Sequence, residues 1–386
     1  MNVHRRGLFV RKRPRFCDVL PFAAYDGAKG VFDMRENVLD FFLGALSPTG
    51  FFSYFHQAYP PLENGDVYLL KGGPGCGKST LLRDTAARLA ATEQTVELIH
   101  CSADPDSLDG VLCGAFAAFD ATAPHVLEPM LPGAYEHTVL AEAGLNSQLL
   151  ASQREQIASL QKQYRQQMDR ATRYVTAAGS LLEDSCRIAQ CCLDVGKTKR
   201  FAKTLAKRYF PKNGAGAKES VRLLSAVTAS GQIFFRDTVR RMADTIVVLD
   251  DDYGAAGKLL MEALRQEARV GEHAVIVCWC SMAPHEKIDH LIFPDLRLAF
   301  VTANAYHPAA FDGARTIHAA RFMNLDALKL RKQRLRFNKK AVLELLEQAV
   351  VIEKEAKAIH DELENIYKAA MDFTIMEQLA AQLEKR

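Results

Sequence analysis

Apolar residues along this chain fall into short solid blocks bounded by turn-forming residues. They are Val67-Tyr68-Leu69-Leu70, Thr95 to Ser102 and Phe116 to Phe119, and later Ile246-Val247-Val248-Leu249, Ala274 to Ser281 and Leu296 to Phe300. Blocks of strand length with little alternation predict strands covered on both faces, as in a mainly parallel sheet. Elsewhere the period changes. Leu82, Ala86 and Leu89 predict one amphipathic helix. Ile157, Leu160, Tyr164, Met168, Ala171, Val175, Ala178 and Leu182 recur at steps of three and four, as do Val342, Leu345, Ala349, Ile352, Ala356, Ile359, Leu363 and Ile366. Each set lines one apolar stripe on a long helix. We expect each long helix to form a hairpin that packs on its own domain; the alternative is a dimerisation or partner-binding arm, and with it a homo-oligomer.

The blocks repeat. Phe42 to Gly50 resembles Leu223 to Gly231, Thr95 to Ser102 matches Ala274 to Ser281, and Phe116 to Phe119 matches Leu296 to Phe300. The spacing stays near ~180 residues, the mark of a tandem duplication. This predicts a basic N-terminal extension over 1–36, a first α/β domain over 37–211, a linker over 212–220 around Lys212 to Lys218, and a second domain over 221–386.

Composition narrows the class. The 386 residues are 48% hydrophobic and 25% charged, and Lys+Arg 49 against Asp+Glu 46 leaves a net charge of +3. That is ordinary globular composition with no global signature of nucleic-acid or membrane-surface binding. No apolar run reaches the ~18 residues of a membrane span, and no apolar region follows the basic N-terminus as in a secretory signal. Nine cysteines without a C-x-x-C pair argue against a disulfide framework or structural zinc, and for a cytoplasmic protein with reduced thiols. Two basic clusters, Lys197 to Arg208 and Lys329 to Lys340, read as solvated helix faces rather than as a nucleic-acid site.

The chemistry concentrates in one segment. Gly72-Gly73-Pro74-Gly75-Cys76-Gly77-Lys78-Ser79-Thr80 satisfies G-x-x-x-x-G-K-[ST], with a predicted strand before it and a predicted helix after it. Glycines let the backbone curl so that its N–H groups face an anion, and the helix N-terminus adds its positive end. Lys78 can then reach the β/γ-phosphates and Ser79 can ligate Mg2+. A magnesium-side acid is required, and Asp120 at the end of the third block is our choice over Asp250. Asp104, Asp106 and Asp109 follow the second block and can contact a metal, a water or an acceptor hydroxyl; the bland reading is an Asp-capped turn opening a helix. His125, like Thr122, can position a reacting group.

In the second copy, Gly257-Lys258 echoes Gly77-Lys78, but the leading glycines are missing, Leu259 replaces the hydroxyl, and Asp250-Asp251-Asp252 precede the loop. The counterpart of Asp120 falls on Phe300 or Val301. We expect a degenerate, silent second domain. Asp109, Thr122 and His125 have apparent matches in Asp289, Thr302 and His307, which favours structural roles for them.

The segments Lys71 to Thr80, His100 to Gly110 and Asp120 to His125 resemble a poorly characterised bacterial family of tandem P-loop NTPases, labelled ATPase or predicted nucleotide kinase. The resemblance covers residues 40 to 386. It implies two tandem P-loop NTPase-like three-layer α/β domains with mainly parallel sheets and helical appendages, and use of ATP. In that family the second half commonly carries another intact P-loop, and this chain departs there. The expected function is Mg-ATP hydrolysis at the first domain. The alternatives are a kinase acting on a small-molecule or nucleotide acceptor, and a nucleotide-responsive scaffold for a protein partner.

Overall fold

The computed structural model describes residues 37–384 apart from 213 and 215, so the predicted extension over 1–36 lies outside the described residues. The first half runs β1 (Val38–Phe41), β2 (Gly44–Ser47), β3 (Gly50–Ser53), β4 (Asp66–Lys71), α1 (Lys78–Ala90), β5 (Val96–His100), β6 (Leu108–Cys113), β7 (Phe116–Asp120), β8 (Glu136–Leu140), α2 (Ser147–Ser152), α3 (Arg154–Gln190) and α4 (Val195–Tyr209). The second half follows with β9 (Glu219–Arg222), β10 (Ser225–Thr228), β11 (Gly231–Phe234), α5 (Arg236–Met242), β12 (Thr245–Asp250), α6 (Ala255–Val270), β13 (Val275–Trp279), β14 (Ile288–Phe293), β15 (Leu298–Ala303), β16 (Arg315–His318), α7 (Leu325–Lys329), α8 (Lys332–Ala369) and α9 (Thr374–Glu384).

The halves have the same topology. One six-stranded sheet has the order β1-β5-β6-β7-β4-β8 and the other, read from its opposite edge, β9-β13-β14-β15-β12-β16. In each, a single strand, β6 or β14, runs antiparallel to its neighbours. The residues after Asp104 therefore open a strand, not the helix allowed for above. β7 lies directly beside β4, which brings Asp120 to the same sheet edge as the loop that follows β4. The strands are buried because both faces are covered: Val67, Leu69, Ile99 and Phe119 lie in a core that continues into Leu224, Ile233, Phe235 and Ile276 of the second half. A reciprocal backbone pair joins Phe42 to its counterpart Leu223, with N–H···O distances of 2.8 and 2.9 Å. β9 begins at Glu219, so the predicted linker ends earlier than residue 220.

The helical appendages depart most from expectation. α3 and α8 do not form separate hairpins; they pair with each other, antiparallel, and touch β2 and β10 of their own halves through Leu46 and Val227 at the edge of that pairing. Arg334 and Asn338, near the start of α8, bond Asp184 near the end of α3 at 2.9 and 2.7 Å, whereas Tyr164 near the start of α3 meets His360 near the end of α8. The two stripes bury against one another through Ala171, Val175 and Ala178 and Val342, Leu346, Ala349 and Ile352. The terminal helices are thereby exchanged. α4 packs on α6 of the second half, through Ala202 and Leu205 against Leu260 and Leu264. α9 packs on α1 of the first half, through Leu379 and Leu383 near Leu82 and Ala86. Periodicity shows that one helix face is covered, but not by what; here each stripe's complement is its own duplicate. The basic residues of the Lys197 to Arg208 cluster lie on the exposed side of α4. Among the described residues, no helix is long and apolar enough to cross a membrane.

One residue on the paired stripe breaks the pattern. Glu353 is 4% exposed and neither carboxylate oxygen has a hydrogen-bond partner. Burial pushes its pKa well above the usual range. Below the unfolded-state pKa both states hold the proton. As pH rises above it, the unfolded chain ionises while the folded chain does not, and stability falls. Glu353→Gln cannot titrate, so its stability relative to wild type should rise by roughly 1–3 kcal/mol between pH 4 and 8. Urea denaturation at the two pH values checks this; a pH-independent difference would contradict it.

Candidate functional site

The loop 72–76 connects β4 to Gly77, the residue capping α1. Gly75 and Gly77 have φ of 72° and 84°, the left-handed region that side chains disfavour. At Gly75 a Cβ would also lie 2.6 Å from the carbonyl oxygen of Glu364 on α8. The second half's helices thus close over the loop: Tyr367 stands against Gly73, and Phe373 and Met376 against Gly77. Lys78 is 7% exposed, and its Nζ donates to the carbonyl oxygens of Gly72 and Gly73, both at 2.7 Å. Asp120 Oδ2 lies 3.5 Å from that ammonium. Asp120 Oδ1 accepts from the backbone N–H of Thr122 at 3.0 Å and from its hydroxyl at 2.5 Å, which fixes the carboxylate's orientation. Ser79 Oγ accepts from the N–H of Leu108 at 2.9 Å, keeping its own proton and a second lone pair. Cys76 is buried, which raises its thiol pKa, and Thr80 is exposed.

The alternative acid, Asp250, lies in the other sheet and pairs with His318 at 2.8 Å. Of the other sequence-selected residues, Asp104 faces α8 and pairs with Lys357 at 3.3 Å. Asp106 is exposed, and its carbonyl takes a bond from Arg83. Neither belongs to the group of ligand atoms gathered around Asp120. That group is Asp109, Asp120 and His125, with one ligand atom of each within 4.8 Å of the others. The residues that the internal comparison discounted are the ones the fold brings together. Burial pushes the Asp109 pKa up to about 6; the nearby His125 opposes this and Asp120 adds to it. Cys101 beside it is raised well above the usual thiol range, by burial and then by the Asp109 charge.

The corresponding place in the second half is built differently. Five residues (72–76) separate Lys71 from Gly77, but only three (251–253) separate Asp250 from Gly254, which caps α6 with φ 77°. Leu81 N–H bonds the Gly77 carbonyl and Lys258 N–H bonds the Gly254 carbonyl. Gly254 is therefore the counterpart of Gly77, and Lys258 sits where the first half has Leu81; the Gly257-Lys258 echo is out of register. The shorter loop is filled from within. Asp251, 1% exposed, accepts from the N–H groups of Gly257 at 2.6 Å and Tyr253 at 3.2 Å. A carboxylate of the chain occupies the start of the helix, where N–H groups lack intrahelical partners and favour an anion. The pairing Gly110↔Phe119 recurs as His290↔Val301. This makes Thr302 the counterpart of Asp120, in place of Phe300 or Val301, and Asn304 that of Thr122.

No protein family, curated protein or solved structure matches this chain in sequence or fold comparison.

Sequence reasoning missed the contributions of α3 and α8. Lys357, Glu364 and Tyr367 reach the first half's loops from more than about 250 residues away in sequence, and Tyr164 lies near Cys101, Glu353 and Asp109. Burial pushes the Tyr164 hydroxyl up to about 12. The one legible hint was Glu353, a carboxylate on an otherwise apolar stripe.

Proposed function

We propose that residues Gly72, Gly73, Pro74, Gly75, Cys76, Gly77, Lys78, Ser79 and Thr80 form a P-loop that binds the phosphates of ATP, and that hydrolysis occurs at the first half only. One observation carries this reading: a lysine at the start of a helix, folded back onto glycine carbonyls 2.7 Å away, with an oriented carboxylate 3.5 Å from it on the adjacent strand. Lys78 would exchange those carbonyls for phosphate oxygens. Ser79 and Asp120 fit a magnesium ion, because each keeps an oxygen lone pair outside the bonds described. Bound there, the ion would neutralise charge developing on the γ-phosphoryl group. The second half takes no polyphosphate in this reading, since Asp251 fills the equivalent position. It serves instead as scaffold, through α8 and α9. Membership of the tandem P-loop NTPases is part of the same proposal.

Ala121 follows Asp120 and is buried, so no carboxylate stands next to Asp120 in sequence to activate water. We therefore expect slow turnover. Isothermal titration with MgATP should show one binding site per chain, weakened in Asp120→Asn. Two sites, or none at millimolar nucleotide, would overturn the assignment. Phosphate release measured with and without hydroxyl acceptors separates hydrolysis from transfer: release unaffected by acceptors supports the hydrolase, and stimulated ATP consumption without phosphate release supports a kinase.

A further inference from the structure

The cluster beside the lysine has a chemistry that magnesium and phosphate do not use. We propose that Asp109, Asp120 and His125 bind a transition-metal dication, of the manganese or zinc type, without any nucleotide. Two carboxylate oxygens and an imidazole nitrogen lie within 4.8 Å of one another. Mixed oxygen and nitrogen donors favour transition metals over magnesium, which prefers oxygen alone.

His125 supplies the second, independent observation. It is 6% exposed, and neither ring nitrogen has a hydrogen-bond partner. The ring is held by stacking on Phe55, with centroids 4.7 Å apart, and by Phe51 at 6.1 Å. A buried polar group left unpartnered is costly, and a metal at its nitrogen removes that cost. The two bonds from Thr122 to Asp120 are the outer-shell support that orients a carboxylate ligand.

The duplication provides a third argument. Asp289 is the counterpart of Asp109, and in the second half a lysine ammonium, Lys287, is bonded to it. Burial alone would raise the Asp289 carboxyl, but Lys287, with smaller contributions from His290 and His307, outweighs burial and holds it at about 2. Lys287 also acts on Asp251, the carboxylate that fills the loop. The silent half thus carries its own cation between two carboxylates. At the position of Lys287 the first half has Ser107. Among the described residues, no lysine or arginine forms an ion pair with Asp109. His307, the counterpart of His125, has its ring 4.8 Å from that of His290, and Thr302 stands at the register position of Asp120. Where the chain bonds an ammonium to the Asp109 counterpart, the rest of the ligand set has been lost; in the first half the set is intact, and the Lys78 ammonium stands at Asp120, 3.5 Å away.

The test uses the full chain, stripped of metal and free of nucleotide, titrated with Mn2+, which avoids the thiols that would compete for zinc. Electron paramagnetic resonance should count one bound Mn2+ per chain, and electron spin echo modulation should show coupling to an imidazole nitrogen. Affinity should fall more than about tenfold in His125→Ala and in Asp109→Asn, given that loss of even an outer-shell partner costs that much. Asp289→Asn should bind like wild type. Failure of wild type to bind Mn2+ overturns the site without reference to any variant's folding. So does binding with no nitrogen coupling, or binding that survives His125→Ala. The site shares Asp120 with the proposed ATP site but does not require it: absent Mn2+ binding leaves ATP titrations intact, and absent ATP binding leaves the Mn2+ result standing.

Discussion

Replacing Lys78 by alanine should weaken MgATP binding at least about a hundredfold, a loss on the order of 3 kcal/mol, and abolish turnover. The ammonium is held inside the glycine loop, 7% exposed and already bonded to two carbonyl oxygens that phosphate oxygens would replace. Charge-assisted bonds to phosphate are worth about 1.5–3 kcal/mol each, and a buried, preorganised donor loses little on binding. Lys258→Ala makes the contrast. Lys258 lies in the first turn of α6, 40% exposed, near Glu286 at 3.6 Å, and Gly254 rather than Gly257 marks the cap. Its removal should leave affinity within about twofold, as expected of an exposed ion pair. Calorimetry on both variants, with circular dichroism to establish folding, checks the pair of results. Equal losses would place nucleotide in both halves and refute the division between them.

Ending the chain after Asp372 should destabilise the first half more than any single core substitution outside it. α9 belongs by sequence to the second half, but Leu379 and Leu383 are buried beside Leu82, Ala86 and Ala90 of the first. At about 1.5–3 kcal/mol for each buried leucine, the two account for about 3–6 kcal/mol. That is a large part of the 5–15 kcal/mol typical of a whole domain. Phe373 and Met376 also stand against Gly77, so the truncated chain should lose ATP affinity along with stability. The mirror experiment is Leu205→Ala in α4, which should cost about 2–5 kcal/mol and act on the second half, where Leu205 meets Leu260 and Leu264. Hydrogen exchange resolves which half loosens in each case. Truncation that loosened only the second sheet would contradict the exchange of helices.

The strand blocks were legible because burial on both faces demands continuous apolar residues, and Val67 to Leu70 and Ile246 to Leu249 lie in the strands so predicted. β6 was not, since its first residues, Leu108-Asp109-Gly110, combine a carboxylate and a glycine that read equally as a turn. The loop motif was legible because its backbone takes a shape that only certain residues allow, with Gly75 and Gly77 at positive φ. Asp109 and His125 could be read two ways from the sequence. Their recurrence in the second half favours structural roles, but the fold gives them different neighbours there: Lys287 for Ser107, Thr302 for Asp120.

The amino-acid sequence on its own determined the two-fold repetition, the solid strands, the glycine loop with Lys78, and two long helices each with one covered face. These depend on local backbone freedom and on periodicity, which are properties of neighbouring residues. Only the tertiary structure decided that the two helices cover each other, that α4 and α9 change places, and that Asp109, Asp120 and His125 converge. Contacts between residues far apart in sequence follow from the free energy of packing whole surfaces together, and an apolar stripe that would fit several surfaces carries no label for the one it meets.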